Sequence, residues 1–155
     1  MVALEITNSD VKNFMGQLLR QDIFDQFEVR SIEIATAMRM SIDGLVLSDD
    51  PEATASFSTW EALRPLVYEI IKSSTKPKYV KIVFSYKASA VGEIHPNAAA
   101  LFLNLSYEND GVTFTTGTGQ KEFLFDKSLD SNWDEWIRGF FVKVGLAVVD
   151  RMQEE

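Results

Sequence analysis

The segment 114–123, FTTGTGQKEF, concentrates glycines, threonines and a lysine, the residues with the clearest chemical potential in this chain. A loop of this composition cradles phosphate when a strand precedes it and a helix follows, because the helix N-terminus supplies unpaired N–H groups. Here Lys121 is followed by Glu122, and EFLFD is expected to continue as a strand. We therefore predict a hairpin turn, with Gly117 or Gly119 at positive φ.

A ligand-binding interpretation of this region is kept as an alternative. In that case Thr116, Thr118 and Lys121 are the expected contacts to a small anion. Lys127 follows in DKSLD, at the predicted start of the last helix, where unpaired N–H groups also attract anions. Acidic residues already surround that helix start, and capping is the commoner use of such a sequence.

Arg64 stands beside the apolar face of the helix predicted in SFSTWEALRPLVYEIIK, with Tyr68 one turn further on. An arginine at a helix irregularity can hold a carboxylate or a phosphate with its planar fork of N–H donors. More often, such an arginine pairs with a structural carboxylate or caps a carbonyl. Arg64 is therefore expected to be either a structural partner of a carboxylate or a ligand contact.

Nucleophilic and metal chemistry find little support in the sequence. The chain has no cysteine and a single histidine, His95, which precedes Pro96. Thiolate chemistry and multi-histidine metal sites are therefore excluded, and no Gly-x-Ser-x-Gly turn pairs the histidine with a serine. Asp49, Asp50 and Glu52 lack the oxygen pattern of a calcium loop, so we interpret them as a solvated loop. No catalytic residue, metal or cofactor is predicted.

Composition indicates a single folded domain. The chain has 155 residues, of which 46% are hydrophobic and 25% charged, values typical of a globular protein. No apolar run approaches the ~20 residues of a membrane span, and no charged-then-apolar leader comes first. We therefore expect no membrane association and a cytoplasmic location. The net charge of −8 disfavours nucleic acid as a partner, since its phosphates bind lysine and arginine.

Hydrophobic periodicity divides the first half of the chain into strands and helices. MVALEIT is typical of a short strand, and apolar residues recur at helical spacing in 11–19. Period-two alternation in 32–42 predicts a half-buried strand or strand pair, and IDGL offers an Asp-Gly hairpin turn. Ser58 and Glu61 form a capping box for the second helix. Because a proline follows Arg64, we expect that helix to kink or restart there.

The second half predicts further strands and one long helix. KYVKIVFSYK alternates with period two, and AALFLNLSYENDGVTFTTGTGQKEFLFD is interpreted as three strands joined by NDG and TGTG turns. DSNWDEWIRGFFVKVGLAVVDRMQ predicts a long helix with Asp130 or Ser131 as its cap. The expected fold is α+β, with a mostly antiparallel sheet of about six or seven strands and three helices. The C-terminal helix is expected to pack on one face of the sheet.

That last predicted helix is apolar on two sides. One broad face consists of Trp133, Trp136, Ile137, Phe140, Phe141, Val144 and Val148. A second stripe, formed by Val142, Leu146 and Val149, lies nearly opposite on a helical wheel. One sheet face cannot cover both stripes, so either another part of the chain or a partner subunit covers the second. These three residues are the predicted interface for self-association.

Several stretches of the chain also carry a family resemblance. They are SFSTWEALRPLVYEIIK, TKPKYVKIVF, LFLNLSY and FTTGTGQKEFLFDKSLDSNWDE. The most specific pieces are Trp60 with Arg64-Pro65, then Thr116-Gly117-Thr118, then DKSLD with Trp133-Asp134. Together they resemble an uncharacterised bacterial family of small single-domain proteins, known only as a domain of unknown function. The resemblance implies one bacterial domain and brings no activity, substrate or cofactor.

Two functional hypotheses follow from these observations. The first is a non-enzymatic binding or interaction module that self-associates, because no catalytic constellation is recognisable and the last helix carries a second apolar stripe. The alternative is an enzyme or sensor for a small anionic ligand that bears a phosphate or carboxylate. It requires Arg64, Lys121 and Lys127 to converge on one pocket.

Overall fold

The computed structural model describes residues 1–73 and 76–151, in which three helices accompany one seven-stranded antiparallel sheet. The elements are β1 (Ala3–Ile6), α1 (Val11–Arg20), β2 (Glu28–Ala35), β3 (Arg39–Asp43), α2 (Trp60–Lys72), β4 (Tyr79–Ser85), β5 (Ala98–Glu108), β6 (Gly111–Gln120), α3 (Ser128–Lys143) and β7 (Val148–Asp150). The strand order across the sheet is β3-β2-β4-β5-β6-β1-β7. The predicted α+β class is confirmed. None of the described helices is long and apolar enough to cross a membrane.

The core lies on one face of the sheet. Cross-strand partners form a row that runs from β2 to β1 through Ile32, Ile82, Leu105, Phe114 and Leu4. Every member of this row is buried, as are the inward sides of α1, α2 and α3. Because strand side chains alternate between faces, this row places the intervening residues on the opposite side of the sheet.

Helices α1 and α2 pack together on this core face. The apolar spacing in 11–19 was predicted to form one buried stripe, and Val11, Phe14, Leu18 and Leu19 are indeed buried. The indole nitrogen of Trp60 donates to the Leu18 carbonyl oxygen at 3.2 Å and joins the start of α2 to α1.

The beginning and the middle of α2 differ from the prediction. Thr59, rather than Ser58, caps the helix, because its hydroxyl accepts the Ala62 N–H at 3.3 Å. The helix does not restart near Arg64, since it continues past Pro65 to Lys72. Pro65 is exposed, so the carbonyl that loses its N–H partner faces the side where water can replace it.

One of the predicted Asp-Gly hairpin turns is confirmed and one is wrong. Asn109 and Asp110 both have positive φ, 52° and 61°, and join β5 to β6, as the NDG signal predicted. In contrast, β2 and β3 are joined at 36–38, and Asp43-Gly44 merely ends β3. A Cβ on Gly44 would lie 1.8 Å from the Val29 carbonyl oxygen. Glycine is needed there for close backbone approach and not for a turn.

The predicted long C-terminal helix ends at Lys143. Gly145 has a φ of 77°, its N–H bonds the Val142 carbonyl at 3.1 Å, and the Leu146 N–H bonds the Phe141 carbonyl at 2.9 Å. These two bonds form a Schellman motif, which ends a helix with a left-handed glycine and buries the apolar residue that follows. The chain then turns back as β7, which pairs with β1.

The second apolar stripe predicted for this helix therefore does not exist as a helical face. Val142 is 80% exposed near the end of α3, Leu146 is buried, and Val149 belongs to the edge strand β7. The three residues face different environments, so the reason for expecting an interface at this place is lost. The part of the helix predicted beyond Arg151 lies outside the described residues.

Part of the other sheet face is polar and open. It carries Glu5, Lys81, Asn104, Thr113 and Thr115, each half-buried or exposed. The three described helices all bury their apolar sides against the opposite face. The alternation of the strands predicted such a partly polar surface. Elsewhere on this face the Arg30 guanidinium lies 4.0 Å from the ring centroid of Phe57, and Ser85 is buried.

Candidate functional site

The glycine-rich segment is the end of a strand and not a hairpin turn. β6 runs without interruption to Gln120, and Gly117 and Gly119 pair with Phe102 and Ala100 of β5. Among the described glycines only Gly145 has positive φ. The prediction of a tight turn is therefore wrong. The reason is that β5 is long enough to pair with both glycines and on to Gln120, and ladder hydrogen bonds stabilise the extended backbone that glycine also permits.

Thr116 and Thr118 point toward α3 and fasten that helix to the sheet. The Thr116 hydroxyl accepts the Val2 N–H at 2.9 Å and donates to the Asp134 carboxylate at 2.6 Å. One helical turn earlier, the Thr118 hydroxyl donates to the carboxylate of Asp130. Both hydroxyls are thus occupied by carboxylates, which repel an incoming anion. Their geometry supports helix anchoring.

Lys127 and Lys121 lie close in sequence but contribute differently. Lys127 lines a cleft of about 450 Å³ together with Thr118, Asp130 and the loop that follows β6. Lys121 is exposed and does not line this cleft, and its N–H bonds the Asn97 carbonyl at 2.9 Å. The cleft therefore contains one lysine and one aspartate, a balance that gives little attraction for an anion.

Arg64 is held elsewhere, by a carboxylate in the turn after α1. Its Nε and one terminal nitrogen donate to the two oxygens of Asp25 at 2.9 and 2.8 Å. The two side chains are only 21% and 14% exposed. These hydrogen bonds raise the pKa of the Arg64 guanidinium above its ordinary value. The structural interpretation describes what Arg64 does here, and it does not share a cleft with Lys127.

The single histidine meets a serine, but the direction of the hydrogen bonds opposes catalysis. His95 Nε2 lies 2.8 Å from Ser128 Oγ, and the Asn97 N–H donates to Nδ1 at 3.0 Å. Because Nδ1 accepts, the proton of the neutral ring is on Nε2, and Ser128 must accept it. Ser128 Oγ in turn donates to Asp126 at 2.9 Å. A histidine acting as general base would instead take the serine proton.

The same chain of bonds caps α3. Asp126 accepts both the backbone N–H and the hydroxyl of Ser128 at 2.9 Å. These two bonds, the backbone one first, lower the pKa of Asp126 below its ordinary value. The carboxylate therefore satisfies the first N–H of the helix and stabilises its N-terminus. Capping, the commoner use expected from DKSLD, accounts for these contacts.

The loop 121–127 is fixed by two side-chain amides. Asn97 Nδ2 donates to the Glu122 carbonyl at 2.9 Å, and the Glu122 N–H donates back to Asn97 Oδ1 at 3.0 Å. Gln120 makes the same pair of bonds with Leu124, at 3.2 and 3.1 Å. Each amide imitates a neighbouring strand and satisfies one N–H and one C=O of the loop.

This fixed loop presents two aromatic rings to solvent. Phe123 and Phe125 are 78% and 87% exposed. Their ring centroids are 5.1 Å apart in an edge-to-face arrangement. Sequence reasoning missed them because EFLFD was interpreted as a strand. The signal was present in the pattern: three consecutive apolar residues lack the alternation of a half-buried strand.

Metal binding finds no site in residues 1–73 and 76–151, where no group of three or more potential metal ligands converges. The acidic loop makes local turns, in which the Asp50 carboxylate accepts the Glu52 N–H at 3.0 Å. Neither a curated protein nor a solved structure matches the chain. The model of the family of unknown function DUF5721 matches residues 17–148, and the chain therefore belongs to that family.

Proposed function

We propose that this protein is a non-enzymatic interaction module that associates with a second copy of itself through the loop 121–127. The observation that carries the proposal is the exposed pair Phe123 and Phe125. Adjacent apolar side chains exposed to this degree are uncommon on soluble surfaces without a binding role. Aromatic rings are also the residues that most often dominate binding energy at protein interfaces.

The fixed backbone of the loop supports the same proposal. Association must offset the entropy lost when flexible groups become ordered. Because Asn97 and Gln120 already hold the loop backbone through four hydrogen bonds, little further ordering is needed when a partner binds. A solvent-exposed aromatic pair on a pre-organised loop is the arrangement that a binding surface requires.

Charge permits a second copy to bind at this place. Each chain carries a net charge of −8, so two copies repel each other over most of their surfaces. The loop is an exception, because Lys121 and Lys127 balance Glu122 and Asp126. A two-fold contact brings the same patch of both copies together, and here that patch is apolar and locally neutral. The interface expected at Val142, Leu146 and Val149 is replaced by this loop.

We propose no catalytic role because the hydrogen bonds at His95 and Ser128 run in the wrong direction for the histidine to take the serine proton. The enzyme hypothesis also required Arg64, Lys121 and Lys127 to converge. Arg64 is instead paired with Asp25, and Lys121 lies outside the cleft of Lys127. The family resemblance supports a bacterial source, and the cytoplasm remains the location we expect for this module.

Sedimentation velocity over a range of protein concentrations tests the proposal. The wild type is expected to form a dimer whose fraction rises with concentration. The double variant Phe123→Ser/Phe125→Ser is expected to weaken it by about thirtyfold or more, since truncating one central aromatic costs about 2 kcal/mol. Val142→Ser is the matched control, because Val142 is 80% exposed on α3, away from the loop. A wild type that stays monomeric at about 100 µM, or equal losses in both variants, contradicts the proposal.

A further inference from the structure

A second cleft, larger than the one beside α3, lies between α1 and the C-terminal half of α2. Its volume is about 690 Å³, within the range of pockets that hold small molecules. It shares no residue with the loop 121–127, so nothing in the proposed self-association accounts for it. Met15, Leu19 and Ile71 give it an apolar part, and Asn13 and Gln17 add amide groups.

The charge of this cleft is opposite to that of the chain. Lys12, Arg20 and Lys72 line it, and no aspartate or glutamate does. The net charge of the whole chain is −8, so a wall with only positive side chains departs from the composition around it. In the described part of the chain, none of these three cations forms an ion pair. Their charge is therefore available to a ligand.

Tyr68 brings two of these cations to one place. The Arg20 guanidinium carbon lies 6.0 Å from the centroid of its ring, and Lys72 Nζ lies 5.7 Å from it. Such contacts orient a cation over an aromatic face without neutralising its charge. The ring is half-buried in the cleft wall. Two positive groups from different helices thus flank one aromatic side chain.

We infer that this cleft between α1 and α2 binds a small organic phosphate. A guanidinium fork and an ammonium group together suit phosphate oxygens, which accept several charge-assisted hydrogen bonds. The apolar side chains and Tyr68 suit the organic part of the same molecule. A nucleic-acid strand fits poorly, because the rest of this acidic surface repels a polyanion. The ligand class expected from the sequence is thus retained, but its contacts are residues that the sequence did not single out.

Isothermal titration calorimetry with ADP and with inorganic pyrophosphate tests this inference on the full chain. Both probes are expected to bind the wild type, and ADP more tightly because its organic part adds contacts. The variant Arg20→Ala/Lys72→Ala is expected to weaken both by about tenfold or more, the usual effect of losing charge-assisted hydrogen bonds. Arg20→Lys/Lys72→Arg, which keeps both charges, is expected to stay within a few-fold of the wild type.

The variant Lys81→Ala/Lys143→Ala is the charge-matched control, because it also removes two exposed positive charges and neither lysine lines this cleft. Its affinity for both probes is expected to match that of the wild type. Equal weakening in the control and in Arg20→Ala/Lys72→Ala would overturn the location. Absence of heat at two temperatures, together with an unchanged melting temperature, with both probes at about 5 mM would overturn the ligand class. Neither result bears on self-association, which is measured separately by sedimentation.

Discussion

Asn97 and Glu122 are joined by two hydrogen bonds of opposite direction, at 2.9 and 3.0 Å, between one side-chain amide and one backbone residue. Gln120 and Leu124 repeat the arrangement two residues further along. The loop between β6 and α3 thus obtains strand-like hydrogen bonding without a neighbouring strand. Because of these hydrogen bonds, Phe123 and Phe125 project from a backbone of defined conformation.

Removing both amides is expected to weaken self-association while leaving the aromatic rings in place. In the variant Asn97→Ala/Gln120→Ala the loop backbone must be ordered at the moment of binding, which we expect to cost about tenfold in the dimer dissociation constant. The free energy of unfolding should fall by about 1–2 kcal/mol, because the lost bonds are partly replaced by water. Sedimentation velocity and urea denaturation measure the two effects.

Asn104→Ala is the control for that variant, since Asn104 makes a side-chain bond to Thr115 on the open sheet face. It should leave the dimer unchanged. Hydrogen exchange supplies a direct check: the Glu122 and Leu124 amides should exchange faster in the double variant than in the wild type. Unchanged protection of these two amides would contradict the role given to Asn97 and Gln120.

The Arg64–Asp25 pair is expected to contribute more to stability than the exposed pairs of this protein. Two parallel hydrogen bonds and limited exposure reduce the screening that makes surface ion pairs weak. Arg64→Ala should lower the free energy of unfolding by about 1–3 kcal/mol. Arg64→Lys should recover only part of it, because lysine lacks the fork.

Arg39 and Glu33 provide the matched comparison, with their nitrogen and oxygen 3.6 Å apart and the arginine mostly exposed. A double-mutant cycle on that pair should give less than about 1 kcal/mol of coupling. The cycle on Arg64 and Asp25 should give clearly more. Equal coupling energies in the two cycles would show that the geometry around Arg64 carries no special stability.

Gly145 and Gly139 should respond to alanine in opposite directions. Gly145 has a φ of 77°, which an L-residue with a Cβ adopts at a cost, so Gly145→Ala should destabilise by about 1 kcal/mol or more. Gly139 lies within α3, where an added Cβ meets no atom within 4 Å. Gly139→Ala should therefore stabilise by about 0.5–1 kcal/mol. Thermal or urea unfolding of the two variants measures both signs.

Local signals in the sequence were enough to predict most of the fold. Positions 109–110 lie between two alternating runs, and an Asn-Asp-Gly sequence there allows only a tight turn with positive φ. The spacing of apolar residues in α1 predicts a helix with one apolar stripe, and that stripe is buried as expected. The period-two runs of β4, β5 and β6 likewise lead to strands and an antiparallel sheet.

Several of the errors arose where glycine has more than one use. Gly117 and Gly119 lie in a strand, Gly44 allows close approach to Val29, and Gly145 ends a helix. Pairing with β5 decides the first case, and it involves residues distant in sequence. The Schellman motif at Gly145 was local and could have been predicted, because an apolar residue follows the glycine.

The candidate sites depended on contacts between distant residues. Asn97 meets Glu122 and Arg64 meets Asp25 only because the fold places their elements side by side. The cleft lined by Lys12, Arg20 and Lys72 likewise needs α1 and α2 to be adjacent. Cations in two amphipathic helices are ordinary solvated residues in sequence terms. Only the packing of the helices indicates that they share one cleft.

Asp126 should make the protein lose stability in acid. Its pKa is lowered because it accepts the N–H and the hydroxyl of Ser128. The folded state thus binds the Asp126 proton less readily than the unfolded state, in which an aspartate has a pKa of about 3.9. The stabilisation is fully present above that value and is lost as the pH falls through the lower folded value.

Replacing this carboxylate by a neutral amide removes that proton-linked contribution. Asp126→Asn should be less stable than the wild type at neutral pH and should show a shallower loss of stability below about pH 4. Ser128→Ala should move the titration of Asp126, followed by carboxyl carbon chemical shift, upward but not fully, since the backbone N–H remains. Asp49→Asn, in the exposed acidic loop, is the charge-matched control for general electrostatic effects. Because Asp126 holds the first turn of α3, both acid and the Asp126→Asn substitution should increase hydrogen exchange in that turn. If Asp126→Asn and Asp49→Asn gave the same curve of stability against pH, this role of Asp126 would be contradicted.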